Sequence, residues 1–150
     1  MKEFTIYYAD DDDDDLFFFE EAVEALSAKN RIEVKLHLLK NGEHLLDSID
    51  KKKLQNSVVF LDLNMPLKSG FELLQDIRNA PDIKGTPVII YSTSANENNI
   101  YKSKKLGANY YAVKPTNFTD LIDIITKAVS FNWKSYRHNP DPFLFNKVAI

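Results

Sequence analysis

The sequence predicts an α/β fold in which helices cover both faces of a parallel sheet. Strand and helix patterns alternate five times along the 150 residues, and this order implies parallel strands joined by right-handed crossovers. The strand segments are short, nearly continuous apolar runs, as expected for strands buried on both faces. With 44% apolar residues, the chain is large enough to bury the core of one domain.

The first two strand-helix pairs occupy the N-terminal third of the chain. Residues 4–9 form the first predicted strand and residues 32–39 the second. We expect Asn41 to cap the second helix through its side-chain oxygen. Apolar residues at helical spacing mark the buried faces: Leu16, Phe19, Ala22, Val23 and Leu26 in the first helix, and Leu45, Leu46 and Ile49 in the second.

Start and stop signals mark both ends of the third helix. The helix follows an apolar strand over residues 58–61, and Ser69-Gly70-Phe71-Glu72 is a capping box at its start. In such a box the Ser69 hydroxyl accepts from the Glu72 amide while the Glu72 side chain reaches back. Phe71, Leu74 and Ile77 are then expected to face the core, and Pro81 to end the helix.

The last two pairs differ in the strength of their helices. A fourth strand over residues 87–91 precedes a helix over 100–106, closed by Gly107, whose thin apolar face makes it the least firmly held. The fifth strand covers residues 110–113, and Asn117 is expected to cap the last helix. Its apolar face comprises Phe118, Leu121, Ile122, Ile125 and Val129.

Residues 1–132 are therefore predicted to form one domain, followed by a tail over residues 133–150. The tail is too short for a separate output domain. It is rich in aromatic residues, including Trp133, Tyr136 and Phe143. We expect it to fold back onto the domain, because a cluster of exposed aromatic side chains is unfavourable.

Composition excludes several classes of protein. A formal charge of −3 argues against direct nucleic-acid binding, which depends on basic surfaces. No apolar run approaches the roughly 20 residues that span a bilayer, and Met1-Lys2-Glu3 leads into a strand pattern instead of a signal peptide. The chain has no cysteine, which suits a reducing compartment. We expect a cytoplasmic protein that does not bind membranes.

Acidic residues follow two of the predicted strands. Asp62 comes where the third apolar run stops, and Asp10 and Asp11 come directly after the first. The carboxyl ends of parallel strands border the crevice in which ligands bind, so these three side chains are expected to point into it. The aspartate run continues to Asp15; we expect Asp14 or Asp15 to cap the first helix, and Asp12 and Asp13 to be loop.

A divalent cation would make this acidic cluster favourable. Two like charges about 4 Å apart repel by about 4 kcal/mol at an effective dielectric constant near 20. Mg²⁺ prefers oxygen ligands of this kind, whereas the glycine and terminal glutamate of an EF-hand calcium loop are missing. Ser92 and Lys114 follow the fourth and fifth strands. A hydroxyl donor and an ammonium group there suit a phosphoryl group.

These motifs together resemble the receiver domain of the two-component response regulator family over residues 4–131. The shared features come in the same order: Asp10-Asp11, then Asp62 with Met65-Pro66 and Gly70, then Ser92, then Lys114-Pro115. The resemblance implies a flavodoxin-like, doubly wound (βα)5 fold with strand order 2-1-3-4-5. The long acidic run leaves open a shift of the acidic pair by one residue, but the strand register favours Asp10-Asp11.

The resemblance also implies a function and roles for the site residues. Asp62 would accept a phosphoryl group from a histidine kinase or histidine phosphotransfer protein. Mg²⁺ would be held by Asp11, Asp62 and the backbone carbonyl of Asn64, with Asp10 helping partly through water. Ser92 and Tyr111 would act as the switch, Lys114 would assist the transfer, and the face around helix four and strand five would bind an unknown downstream protein.

Several alternatives remain open at the level of sequence. Tyr111 is equally well explained by packing, and a serine at a strand end, such as Ser92, commonly caps the following segment. The primary interpretation is a stand-alone receiver, monomeric or weakly dimeric, with no enzymatic activity beyond accepting and hydrolysing its own phosphoryl group. A phosphohydrolase of the haloacid dehalogenase type also uses an aspartyl-phosphate, but Asp62-Leu63-Asn64 lacks its second aspartate. A phosphorylation-independent adaptor is the third alternative.

Overall fold

Five parallel strands form one sheet in the order β2-β1-β3-β4-β5, which confirms the predicted α/β fold and its strand order. The computed structural model describes residues 3–30 and 32–149. Met1, Lys2, Arg31 and Ile150, which belong to the predicted domain and tail, lie outside the described residues. The strands are β1 (Glu3–Asp10), β2 (Glu33–Lys40), β3 (Ser57–Leu61), β4 (Val88–Ser92) and β5 (Tyr110–Val113).

Helices cover both faces of the sheet and separate its core into two layers. Side chains alternate along each strand, so Ile6 and Tyr8 of β1 pack under one set of helices and Tyr7 and Ala9 under the other. The helices are α1 (Asp13–Asn30) and α5 (Phe118–Ser130) on one face, and α2 (Leu45–Ser48), α3 (Gly70–Asn79) and α4 (Glu97–Lys105) on the other.

No helix among the described residues is long and apolar enough to span a bilayer.

The start of α2 differs from the prediction. Asn41 does not cap the helix: it adopts a left-handed backbone with φ of 60° and is followed by Gly42 at 71°. Together these residues turn the chain after β2, a conformation that asparagine and glycine tolerate better than other residues. The N-cap position falls on His44, which makes no side-chain capping bond, and the helix is only four residues long.

The capping predictions for α3 and α5 are confirmed. The Ser69 hydroxyl accepts from the Glu72 amide at 3.2 Å, and Glu72 accepts in return from the Ser69 amide at 3.5 Å. The Asn117 side chain accepts from the Asp120 amide at 2.9 Å. The first residue of each predicted apolar face is less buried than expected, since Phe71 is only half-buried and Phe118 is 37% exposed.

Helix α4 is weakly anchored, as its thin apolar face predicts. It begins three residues before the predicted start, because the Asn96 side chain accepts from the amides of Asn98 and Asn99. Ser103 is its one buried residue. Gly107 ends the segment at φ of 97°, a conformation suited to glycine.

The tail folds back along the outer edge of β5, as expected from its aromatic content. Leu144 pairs in parallel with Tyr111, whose amide donates to the Phe143 carbonyl at 3.2 Å. The Asn146 side chain accepts from the Val113 amide and donates to the Val113 carbonyl, both at 2.9 Å. Phe145 is completely buried. The tail thus completes the core and covers the last strand of the sheet.

Because Phe145 is fully buried against the main core, Phe145→Ala should lower the free energy of unfolding by about 3 kcal/mol. Urea unfolding followed by circular dichroism measures this value. Phe17→Ala is the matched control: Phe17 is 61% exposed, so its loss should change stability by no more than about 0.5 kcal/mol. Equal effects of the two substitutions would contradict the packing of the tail.

Candidate functional site

Four strands deliver the predicted site residues to one edge of the sheet. Asp10 ends β1, Asp62 follows β3, Ser92 ends β4 and Lys114 follows β5. Backbone bonds join neighbouring positions: the Asp62 amide donates to the Ala9 carbonyl at 3.0 Å, and the Lys114 amide to the Ser92 carbonyl at 2.8 Å. The backbone hydrogen bonds of the sheet therefore fix the positions of these four residues relative to one another.

Three carboxylates converge at this edge. Ligand oxygens of Asp10, Asp11 and Asp62 lie within 4.8 Å of one another. Asp10 and Asp62 are buried, while Asp11 is exposed to solvent. A set of carboxylate oxygens with one side open to water fits a hard divalent cation that keeps part of its hydration shell. The predicted metal ligands Asp10, Asp11 and Asp62 are thus brought together.

Lys114 lies at the centre of the acidic cluster. Its Nζ is 2.7 Å from Asp10, 2.8 Å from Asp15 and 3.3 Å from Asp62. Burial alone would lower the pKa of Lys114, but the hydrogen bonds to Asp10 and Asp15 outweigh it and raise the pKa above its usual range. The ammonium group therefore stays charged and offsets part of the negative charge of the cluster.

Asp10 and Asp62 respond differently to the same neighbour. Burial alone would raise the pKa of Asp10, but hydrogen bonds from Lys114 and the Tyr8 hydroxyl lower it. Burial raises the pKa of Asp62 to about 6; the charge of Lys114 opposes this shift and that of Asp10 adds to it. Asp62 has the longer contact with Lys114. Both oxygens of Asp10 already accept hydrogen bonds. The Asp62 carboxylate is therefore the one with more room to accept a further hydrogen bond or to bind a cation.

The rest of the aspartate run has a different arrangement from the predicted one. Asp12 is the helix cap, since its side chain accepts from the Asp14 amide at 2.8 Å and the Asp15 amide at 3.2 Å. The predicted caps Asp14 and Asp15 are wrong, and Asp12 is not simple loop. Asp13 pairs with Lys40 at the surface. Counting the first turn back from Leu16 would have placed the cap at Asp12.

Asp15 is a site residue that the sequence reasoning missed. It lies in the first turn of α1 and accepts from Lys114 Nζ at 2.8 Å. Its signal in the sequence was weak, because any member of an acidic run can serve as a solvated residue. Its contact with Lys114 links the start of α1 to the end of β5.

The two predicted switch residues meet at Ser94. The Ser94 amide donates to the Ser92 hydroxyl at 3.1 Å, and the Tyr111 hydroxyl donates to the Ser94 carbonyl at 2.7 Å. Tyr111 is completely buried. Tyr111 is therefore a core packing residue. Its hydroxyl is also connected, through the backbone of Ser94, to the Ser92 hydroxyl.

The loop after β3 depends on Gly70. A side chain at this position would collide with the Asp62 carbonyl oxygen, and the Gly70 amide donates to the Leu63 carbonyl at 3.1 Å. The start of α3 is thereby packed directly against the residue that follows β3. Asn64, the residue whose backbone carbonyl was predicted as a metal ligand, lies in this loop with its side chain exposed.

The sequence matches the family model of the response regulator receiver domain over residues 8–126. The chain belongs to this family. Rcp1 of Synechocystis sp., a response regulator, is 39% identical over 75 residues, which are 50% of this chain and 51% of that protein. The chemotaxis protein CheV2 of Helicobacter pylori is 32% identical over 117 residues, covering 74% of this chain and 37% of CheV2. The chain thus spans about half or less of these relatives.

Solved receiver structures are similar over most of the chain. Rcp1 in its Mn²⁺-bound form has a TM-score of 0.67 at 28% identity, covering 91% of this chain and 99% of Rcp1. RPA3017, a response regulator in red light signalling of R. palustris, has a TM-score of 0.66 at 28% identity, covering 83% and 90%. Rcp1 was solved with Mn²⁺ bound, and in this receiver domain the ligand oxygens of three aspartates lie within 4.8 Å of one another.

The raised pKa of Asp62 makes stability depend on pH. A carboxyl whose pKa rises on folding stabilises the fold below its unfolded value of 3.8, and that contribution is lost as the pH rises through about 6. In EDTA, Asp62→Asn should therefore stabilise the protein by about 2 kcal/mol at pH 7.5 and by less than half of that at pH 4.5. Urea unfolding at the two pH values measures the difference.

Asp123→Asn is the control, because Asp123 is exposed on α5 and outside the cluster. Its effect should be small at both pH values. An Asp62→Asn benefit that is the same at pH 4.5 and pH 7.5 would contradict a raised pKa of Asp62.

Proposed function

We propose that this receiver accepts its phosphoryl group on Asp62, from a histidine kinase or a histidine phosphotransfer protein. The observation that carries the proposal is the position of the Asp62 carboxylate. It lies at the carboxyl end of the central strand β3, is 6% exposed and has Lys114 Nζ at 3.3 Å. With a pKa of about 6, Asp62 is ionised at neutral pH and can act as a nucleophile.

The transfer exchanges one bond to phosphorus for another. An Asp62 oxygen attacks the phosphorus, the P–N bond of the donor phosphohistidine breaks, and its electron pair leaves with the imidazole. The Lys114 ammonium group offsets negative charge that develops on the phosphoryl oxygens. A bound Mg²⁺ would supply further positive charge there. The protein itself contributes mainly position and charge.

Asp10 and Asp11 differ in the hydrogen bonds that they already make, and this difference supports different roles in holding Mg²⁺. One Asp10 oxygen accepts from Lys114 and Tyr8, and the other accepts from the Asp12 amide at 3.0 Å. Asp11 has no hydrogen-bonded side-chain partner among the described residues and is exposed. We therefore propose Asp11, Asp62 and the Asn64 carbonyl as direct ligands, with Asp10 acting partly through water.

The proposed output pathway starts at Ser92. A phosphoryl group on Asp62 gives the Ser92 hydroxyl a strongly charged acceptor, and Ser92 is joined through Ser94 to the Tyr111 hydroxyl. The Tyr111 amide in turn holds the tail through Phe143. The face around α4 and β5, including the tail that covers it, is the proposed binding surface for a downstream protein.

The acceptor assignment can be tested with acetyl phosphate and intact-protein mass spectrometry. Wild-type protein with Mg²⁺ should gain one phosphoryl group, and Asp62→Asn should gain none. Asp11→Asn should react at least about tenfold more slowly, because a metal that stabilises transition-state charge is held less well. Asp13→Asn removes an exposed acid of the same run that pairs with Lys40 and should react normally.

Two results of the acetyl phosphate experiment would contradict the proposal. An adduct that persists in Asp62→Asn would overturn the choice of acceptor. Rapid, repeated consumption of acetyl phosphate without a lasting adduct would instead favour a phosphohydrolase.

The output pathway predicts that phosphorylation loosens the tail through Ser92. Hydrogen exchange of the Tyr111 and Val113 amides, which are held by the tail, should accelerate when the wild-type protein is phosphorylated. Ser92→Ala should still be phosphorylated but lose at least half of this acceleration. Ser130→Ala, an exposed serine at the end of α5, should behave like wild type. Unchanged exchange in phosphorylated wild-type protein would contradict the pathway.

A further inference from the structure

A second concave site lies at the end of the sheet opposite Asp62. The cavity has a volume of about 370 Å³ and is enclosed by the segments that precede β4 and β5 together with the tail. Pro87 and Asn109, which lead into these two strands, are among its lining residues. Its size falls within the range of pockets that hold one small molecule. The proposed phosphorylation chemistry uses none of its lining residues.

The polar part of the cavity is strongly positive in a chain whose net charge is −3. Arg78, Lys84 and Lys104 line it, together with His138, and no aspartate or glutamate is among the lining residues. Within the described residues, none of these cations forms an ion pair with a carboxylate. The positive charge of the cavity is therefore not balanced by nearby protein groups.

Arg78 is held rigidly in this wall. Its guanidinium donates to the carbonyls of Gly107, Lys84 and Thr86 and to the Asn109 side chain, at 2.7–2.9 Å. Burial lowers the pKa of Arg78 to about 10, so the group remains charged at neutral pH. Four of its five N–H donors are used by these bonds, and the fifth has no acceptor among the described residues. The four bonds thus hold Arg78 as a fixed positive charge in the cavity lining.

The tail supplies the aromatic part of the same lining, and Lys104 Nζ lies 5.8 Å from the centroid of the Phe143 ring. Trp133, Tyr136 and Phe143 all line the cavity. Tyr136 is fixed because its hydroxyl donates to the Asn109 carbonyl at 2.9 Å, and Trp133 is fixed because its ring nitrogen donates to the Ala128 carbonyl at 3.0 Å. Rigid aromatic faces beside an unbalanced positive charge are suited to a ligand that is both planar and anionic.

We propose that this cavity binds a small organic anion, a planar ring that carries a phosphate or carboxylate group. The anionic group would lie against Arg78, Lys84 and Lys104, and the ring against the aromatic side chains of the tail. Binding would fasten the tail to the body of the domain. It would not require phosphorylation, because Asp62 lies at the other end of the sheet.

Trp133 provides a direct readout, because it is the one tryptophan of the chain and lines the cavity. Its fluorescence would be followed while full-length protein is titrated with AMP and, separately, with benzoate, which distinguishes a phosphate from a carboxylate head. Adenosine and inorganic phosphate test the ring and the anion alone. We expect a saturable change with AMP or benzoate, with affinity at least about tenfold above that for adenosine or phosphate.

The double substitution Lys84→Gln, Lys104→Gln removes two exposed cations of the cavity and leaves the structural contacts of Arg78 intact. It should weaken binding at least fivefold. The double substitution Lys29→Gln, Lys52→Gln changes the net charge equally at exposed positions outside the cavity and should bind like wild type. Asp62→Asn should also bind normally, which separates this site from the acceptor.

Three outcomes would overturn the proposal. One is the absence of a saturable change with both AMP and benzoate. The second is equal affinity for AMP and adenosine with no response to benzoate, because the anion would then contribute nothing. The third is equal affinity in the two double variants, because the affinity would then depend only on overall charge.

Discussion

The contact of Lys114 with three carboxylates is the interaction on which the rest of the site depends. It joins the end of β5 to the end of β1, to the residue after β3 and to the first turn of α1. Each pair of like charges at about 4 Å would repel by about 4 kcal/mol at an effective dielectric constant near 20. One buried ammonium group offsets part of this repulsion. The acids can therefore stay close enough together to bind a cation or a phosphoryl group.

The same contact distinguishes two aspartates that the sequence alone makes look alike. Asp10 takes the shorter bond to Lys114 and a second from Tyr8, which keep it ionised. Asp62 has the longer contact and a pKa of about 6. Pairs of titratable groups whose environments push their pKa values apart are typical of sites with divided chemical roles. In the function proposed above, Asp10 is the fixed charge and Asp62 the carboxylate that reacts.

Sequence reasoning was most successful where topology alone determines position. Once the strands are parallel, the residues after each of them must meet at one edge, so Asp10, Asp62, Ser92 and Lys114 were predictable together. It was less successful where a local choice depended on a tertiary contact. Asp15 was missed as a site residue because its partner, Lys114, is 99 residues away. No periodic pattern in the sequence reports such a contact.

The tail illustrates the same limit and suggests how the two ends of the molecule are related. Its fold-back follows from its aromatic content, but its register does not: Asn146 holds Val113, and Leu144 pairs with Tyr111, both across 33 residues. Strand β5 runs from the cation-lined cavity, which includes Asn109, towards Lys114, and the tail is fastened along its length. If an anion in the cavity holds the tail and phosphorylation loosens it, the two events must oppose each other. Linkage makes that opposition reciprocal, so each would weaken the other by the same factor.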